Sequence, residues 1–244
     1  QRQMCIRDIP KYLTGKESER NARDLFIITN FNKTHIAFRV HSVVGISRIS
    51  WEHIQKPDKT ITYGEEGVAT GIAQCDNQLV TILDFEKIVA DIAPETGIQL
   101  EEIEKLGKRN RKESRIILAE DSILLSRMIK EALAKAGYDN ILAFNNGKEA
   151  WDYLQSVRED QDFEKKVSLI ITDIEMPEMD GHRLTKLVKE DQIMKDTPLI
   201  IFSSLINSEM RIKGKSLGAD EQLSKPEIGH LVEVMDTLLE RRGQ

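Results

Sequence analysis

Hydrophobic runs in the second half of the chain share one design: each ends in a polar residue. Arg115-Ile116-Ile117-Leu118-Ala119 leads into Glu120-Asp121, and Ser168-Leu169-Ile170-Ile171-Thr172 leads into Asp173. Pro198-Leu199-Ile200-Ile201-Phe202 leads into Ser203-Ser204, and a shorter segment ends in Lys225-Pro226. Short apolar runs bounded in this way predict buried strands, here over 115–119, 141–144, 168–172, 198–202 and 220–223. Between them the period changes. Leu125, Met128, Ile129, Leu133 and Ala136 recur at helical spacing up to Gly137, a residue suited to a helix C′ position. Trp151, Leu154 and Val157 mark a second helix after Asn146-Gly147. Leu184, Leu187 and Val188 mark a third, and Leu231, Val234, Met235 and Leu238 a last one. The alternation predicts an α/β unit over 114–244 with a five-stranded parallel sheet, doubly wound.

Upstream the pattern is that of short strands: 24–29, 35–40, 42–49 and 78–83. Asn30-Phe31-Asn32-Lys33 is a polar connection of the kind that closes a hairpin. The prediction for residues 1–93 is a mainly-β domain. Residues 94–113 are dense in charge, with acids leading and the bases Lys108-Arg109-Asn110-Arg111-Lys112 trailing, and read as a charged linker with one short helix at most.

Composition narrows the class. A chain of 244 residues with 40% hydrophobic content can bury two cores and is expected to be a soluble globular protein. A net charge of −6 argues against a nucleic-acid partner. No apolar run is long enough to span a bilayer, so direct membrane insertion is not expected. Cys5 and Cys75 form no metal-ligand spacing, which fits a reducing, cytoplasmic setting. The chain begins at Gln1 rather than Met, which leaves open what precedes it.

The chemistry lies at the strand ends. In an open parallel sheet the C-terminal ends of the strands share one edge, where ligands bind. That edge should gather Glu120, Asp121, Asp173, Ser203 and Lys225. Carboxylates are hard oxygen ligands suited to Mg²⁺, and packing them together without a cation is costly. Asp173 can act as an oxygen nucleophile toward a phosphoryl donor, with Lys225 stabilising developing charge and the Ser203 hydroxyl binding a further oxygen. Taken singly, each residue is common at a strand end; their order is what is specific. Residues 1–93 contain no nucleophile–base pair, phosphate loop or ligand cluster, and the chain's five histidines (His35, His41, His53, His182, His230) lack ligand spacing. A catalytic output domain and a DNA-binding helix-turn-helix are both disfavoured, and the N-terminal half reads as a binding module.

On these motifs, residues 114 to about 242 resemble a response-regulator receiver domain, a flavodoxin-like fold. The resemblance implies that Glu120 and Asp121 are the acid pair for Mg²⁺, that Asp173 is the phosphoacceptor, and that Ser203 and Lys225 are the hydroxyl and lysine positions. It implies a metal-facing backbone carbonyl at Glu175 and a role for Glu175 and Leu205 in setting the hydrolysis rate. The family's aromatic switch position is occupied by Gln222, which speaks against an aromatic rotation coupled to Ser203.

The first half also carries a resemblance. Asp24-Leu25-Phe26-Ile27-Ile28-Thr29-Asn30-Phe31-Asn32, Ser50-Trp51-Glu52-His53-Ile54 and Asp84-Phe85-Glu86-Lys87-Ile88-Val89-Ala90-Asp91-Ile92 are similar to the later part of a CheW-like coupling domain, a β-barrel module. Fusion to a receiver is the arrangement of CheV-type proteins, and the sequence starts partway through the coupling domain. That resemblance implies a non-enzymatic chemotaxis adaptor, associated with receptor arrays, that links the cytoplasmic tips of chemoreceptors to the histidine kinase CheA. Phosphorylation would then modulate coupling. The alternatives are a phosphate sink that drains the kinase and a receiver-regulated scaffold outside chemotaxis.

Overall fold

The computed structural model describes residues 5–16, 21–31, 34–50, 53–55, 68–75, 78–92, 103, 106–111, 113–204, 206–225 and 227–242. The chain divides into two compact units, Gln1–Thr96 and Gly97–Gln244.

In the first unit, β1 (Cys5–Asp8) runs into α1 (Ile9–Thr14). Asp8 ends the strand and caps the helix, accepting from the Lys11 backbone N–H at 3.2 Å, and Gly15 closes it in the left-handed region (φ 67°). β2 (Leu25–Phe31) and β3 (Thr34–Val40) form the expected hairpin, antiparallel from Leu25↔Val40 to Phe31↔Thr34. β1 joins β3 in parallel, so the order is β1-β3-β2. A second antiparallel sheet orders β4 (Ile54–Gln55), β5 (Ala69–Cys75) and β6 (Gln78–Leu83). α2 (Phe85–Ile92) follows, with the Asp84 side chain accepting from the Lys87 backbone N–H at 2.8 Å. Ile9, Ile36, Phe38, Val68, Ile88 and Val89 make the core. Arg39 is buried because Asp8 and Asp24 both hold its guanidinium.

The expected strand over 42–49 does not form. Residues 42–50 pair with no described strand, and Val44 and Ile46 are 103% and 99% exposed. β-branched residues favour a strand only where a neighbour and a covered face exist to receive them. Trp51 and Glu52 lie outside the described residues.

The second unit contains β7 (Ile116–Ala119), α3 (Ile123–Ala136), β8 (Ile141–Phe144), α4 (Gly147–Val157), α5 (Phe163–Lys166), β9 (Leu169–Thr172), α6 (Gly181–Glu190), β10 (Leu199–Ser203), α7 (Ser208–Ser216), β11 (Glu221–Ser224) and α8 (Ile228–Arg242). The sheet order is β11-β10-β9-β7-β8, and every pairing is parallel. Strand side chains alternate between two cores. Ile116, Leu118, Leu169, Ile171, Ile200 and Phe202 meet α3 and α8 on one face. Ile117, Ala119, Ile170, Leu199 and Ile201 meet α4 and α6 on the other. Both faces are covered, so these strands read as unbroken apolar runs.

The charged stretch ahead of β7 contributes to this unit. Ile103 is 1% exposed within the α3/α8 core, and Leu106 packs against it. The Arg109 backbone N–H donates to the Ala136 carbonyl at 2.8 Å, and its Nε reaches Asp236 at 2.8 Å, where the Tyr138 hydroxyl also donates. Gly137 permits the close approach: its φ is 99°, and a Cβ there would lie 2.0 Å from the Arg109 carbonyl oxygen.

Candidate acidic site at the sheet edge

Four strand ends on this edge carry the residues singled out above. β7 delivers Glu120 and Asp121, β9 delivers Asp173, β10 ends in Ser203, and β11 is followed by Lys225. The order reverses at β7, whose neighbours are β8 and β9, and this switch point opens a crevice beyond the strand ends. Backbone bonds hold the acids in place. The Asp173 N–H donates to the Ala119 carbonyl at 2.9 Å, and the Glu120 N–H to the Phe144 carbonyl at 3.0 Å.

One ligand atom from each of Glu120, Asp121 and Asp173 lies within 4.8 Å of the others. Glu120 and Asp173 are buried, and Asp121 is half-buried. Lys225, 1% exposed, places Nζ 2.8 Å from Asp173 Oδ2 and 3.0 Å from Glu120 Oε2. Three carboxylates against one ammonium leave a formal charge of −2, which a divalent cation with a preference for oxygen would neutralise. The donor set therefore fits Mg²⁺.

The loop after β9 is shaped around the acceptor position. The Ile174 N–H donates to Asp173 Oδ1 at 2.6 Å, and the Thr172 hydroxyl donates to the Asp173 carbonyl at 2.8 Å. Gly181 is obligatory, since a Cβ there would sit 1.8 Å from the Asp173 carbonyl oxygen. Asp180 caps α6 by accepting from the Arg183 N–H at 2.7 Å. Glu178 takes φ 64°, a left-handed conformation unusual for a residue with a side chain. The Glu175 side chain reaches solvent, yet its carboxyl is held above the usual range, first by desolvation, then by the Asp173 charge, with Lys225 opposing.

Ser203 is buried at the end of β10, and its carbonyl accepts from the Lys225 N–H at 3.3 Å. Leu205 lies outside the described residues. Gln222 stands apart from the acids, within β11 beneath α7. Sequence reasoning missed the Ile174 amide, which as a backbone group has no compositional signal, and Ser122, which caps α3 by accepting from the Leu125 N–H. The Ser-x-x-Leu spacing ahead of an apolar period was the available signal.

Comparison with known proteins identifies the two domains of the chain. Residues 116–236 match the response regulator receiver domain, and residues 2–93 match the CheW-like domain. The chain is similar to chemotaxis protein CheV2 of Helicobacter pylori, with 30% identity over 227 residues covering 91% of this chain and 69% of that protein. Similarity to CheV3 of the same organism is 28% over 237 residues, covering 94% and 72%. Among solved structures, the signal receiver domain of a signal transduction histidine kinase from Syntrophus aciditrophicus covers 52% of this chain and 90% of its own, with 30% identity and a TM-score of 0.45.

Proposed function

Because the chain belongs to the CheV family of chemotaxis proteins, a CheW-like domain joined to a receiver, we propose that it accepts a phosphoryl group on Asp173 and that this event changes how its CheW-like half engages partners. The observation that carries the reading is Asp173 held between Lys225 and two further carboxylates on one sheet edge.

The side chains have separable tasks. An Asp173 carboxylate oxygen attacks phosphorus, an O–P bond forms, and the donor's bond to phosphorus breaks with its electron pair leaving on the donor. Lys225 already sits on Asp173 Oδ2 and is placed to follow the charge onto the transferred oxygens. Ser203, at the neighbouring strand end, is assigned the role of donor to another of those oxygens. Glu120, Asp121, Asp173 and the Glu175 carbonyl would hold Mg²⁺, which when bound supplies charge neutralisation for the carboxylates and the incoming phosphoryl group. Glu175, with Leu205, is assigned to the approach of hydrolytic water. The phosphoryl group adds three acceptor oxygens and close to two negative charges, enough to reorganise adjacent loops.

On the family's pattern the partners are the histidine kinase CheA and chemoreceptor tips, and the adaptor's place is at receptor arrays. No described helix is long and apolar enough to cross a membrane. A ligand shifts coupling only by its differential affinity for two states. The first experiment is intact mass after incubation with Mg²⁺ and acetyl phosphate, on this chain and on Asp173→Asn. One adduct that requires both metal and Asp173 is expected; its absence from the folded protein would sink the reading. Kinase affinity measured with and without a phosphoryl mimic then separates modulated coupling from a phosphate sink, for which the two affinities would be equal.

A further inference from the structure

We propose that Gln222 is a positioning residue that latches α7 to β11 and so restrains Ser203, making phosphoryl capture work against an amide clamp between a strand and a helix. The proposal rests on the reading of Asp173 as acceptor, but the observations behind the latch are independent of it. Gln222 is 6% exposed, and its Nε2 donates to the Arg211 carbonyl in α7 at 2.8 Å. Arg211 answers by donating Nη1 to the Gln222 carbonyl at 3.1 Å. The helix makes room for the amide at Gly214, where a Cβ would fall 2.3 Å from Gln222 Oε1. Exchanging the amide oxygen and nitrogen would set Oε1 against the Arg211 carbonyl, so the orientation is fixed by chemistry.

Among the described residues the helix is otherwise seated mainly by Met210, which packs against the core. Gly214 is its one fully buried residue, Met210 is half-buried, and Ile212 is 72% exposed. The latch is also incomplete: Gln222 Oε1 is buried without a hydrogen-bond partner, which disfavours the closed arrangement. A clamp built in this way holds, but weakly.

Its connection to the site is short. Only residues 204–207 separate Ser203 from the start of α7, where Asn207 caps the helix by accepting from the Met210 N–H at 2.9 Å. Ser203 is tied on its other side to β11, with Ser203 in register with Ser224 and Ile201 with Gln222. If the Ser203 hydroxyl moves toward a phosphoryl group on Asp173, the displacement pulls on a helix that Gln222 holds. Releasing Gln222 therefore lowers the cost of the phosphorylated arrangement, in the way a pre-organising change removes a conformational penalty.

Two substitutions open the latch from opposite sides. Gln222→Leu removes the donor while keeping bulk. Gly214→Ala fills the notch that the amide occupies while raising intrinsic helix propensity, so lost helicity cannot account for its effect. On the full chain, amide hydrogen exchange of α7 without donor and the phosphorylation rate with acetyl phosphate and Mg²⁺ are measured for both. The expected result is α7 exchange about tenfold faster or more, and phosphorylation several-fold faster, in both variants. Unchanged exchange overturns the latch. Faster exchange with an equal or slower phosphorylation rate overturns the restraint on Ser203. Loss of the folded circular-dichroism signal in both variants would make Gln222 a plain core residue and also overturn it. A wild-type chain that takes no phosphoryl group would instead refute the acceptor reading, an outcome the donor-free exchange measurement keeps distinct.

Discussion

Removing the Lys225 ammonium tests the electrostatic design of the site directly. In Lys225→Met the stem's bulk is kept, and the ammonium that sits 2.8 Å from Asp173 and 3.0 Å from Glu120 is lost. At an effective dielectric near 20, each contact is worth roughly 6 kcal/mol before solvation is counted. Removing three groups from water costs several kcal/mol per ion, so most of that sum is cancelled in the intact site. What the variant exposes is the part that Lys225 compensated: two buried carboxylates beside the half-buried Asp121, without that ammonium. Breaking a buried pair in this way typically costs about 3–5 kcal/mol. Urea unfolding in EDTA, followed by circular dichroism, should show a lower midpoint of that size with an unchanged slope. Adding Mg²⁺ should recover more stability in the variant than in the wild type, because the vacated charge makes the carboxylates a better cation site. Equal midpoints in EDTA, or equal gains from Mg²⁺, would refute the claim that Lys225 balances the acids.

Three further outcomes follow from the geometry. Gly181→Ala should lower stability by about 2 kcal/mol or more through overpacking, because its Cβ would meet the Asp173 carbonyl oxygen at 1.8 Å, and phosphorylation should slow with it; intact mass and urea midpoints report both. Ile103→Ala should destabilise the second unit by about 2–5 kcal/mol as a buried truncation, whereas a change in solvated chain would move its urea midpoint by less than about 0.5 kcal/mol. Burial, with Lys213 adding and Asp180 opposing, holds the His182 imidazole below its ordinary value. The unfolded chain then binds the proton first, so stability is full above about pH 6.5 and falls as pH drops toward the folded value. His182→Leu should flatten that part of the stability–pH curve, as read from thermal midpoints between about pH 7 and pH 5.

The receiver sheet was legible because its strands are buried on both faces and separated by helices with clear apolar stripes. Leu125, Ile129 and Leu133 announced α3 in this way, and Gly137 its end. α7 was not legible: Ser208-Glu209-Met210-Arg211-Ile212-Lys213-Gly214-Lys215-Ser216 has no apolar stripe, since it is seated by an amide and a missing side chain. α5 is a single turn, below the length at which periodicity can register. In the first unit, alternation revealed β3 and β6, but the equally β-rich 42–49 has no described partner, and pairing is not a local property. The acidic site was readable in its side chains and unreadable in its backbone. Asp173 and Lys225 stand out in the sequence, while the Ile174 amide at Asp173 and the packing of Gly181 against it do not. In the segment ahead of β7, abundant charges conceal Ile103, which enters the core.

That isoleucine sets where the receiver can be cut. A fragment excised at residue 114 would keep every strand and every acid of the site, yet leave an empty slot between α3 and α8 and strand Asp236 without Arg109. Its chemistry would be measured on a damaged molecule, with apolar surface newly open to water and to other copies of itself. The smallest piece that retains its own interior starts ahead of Ile103, so the charged tract is inherited with the phosphoryl site whenever this receiver is transplanted onto another protein.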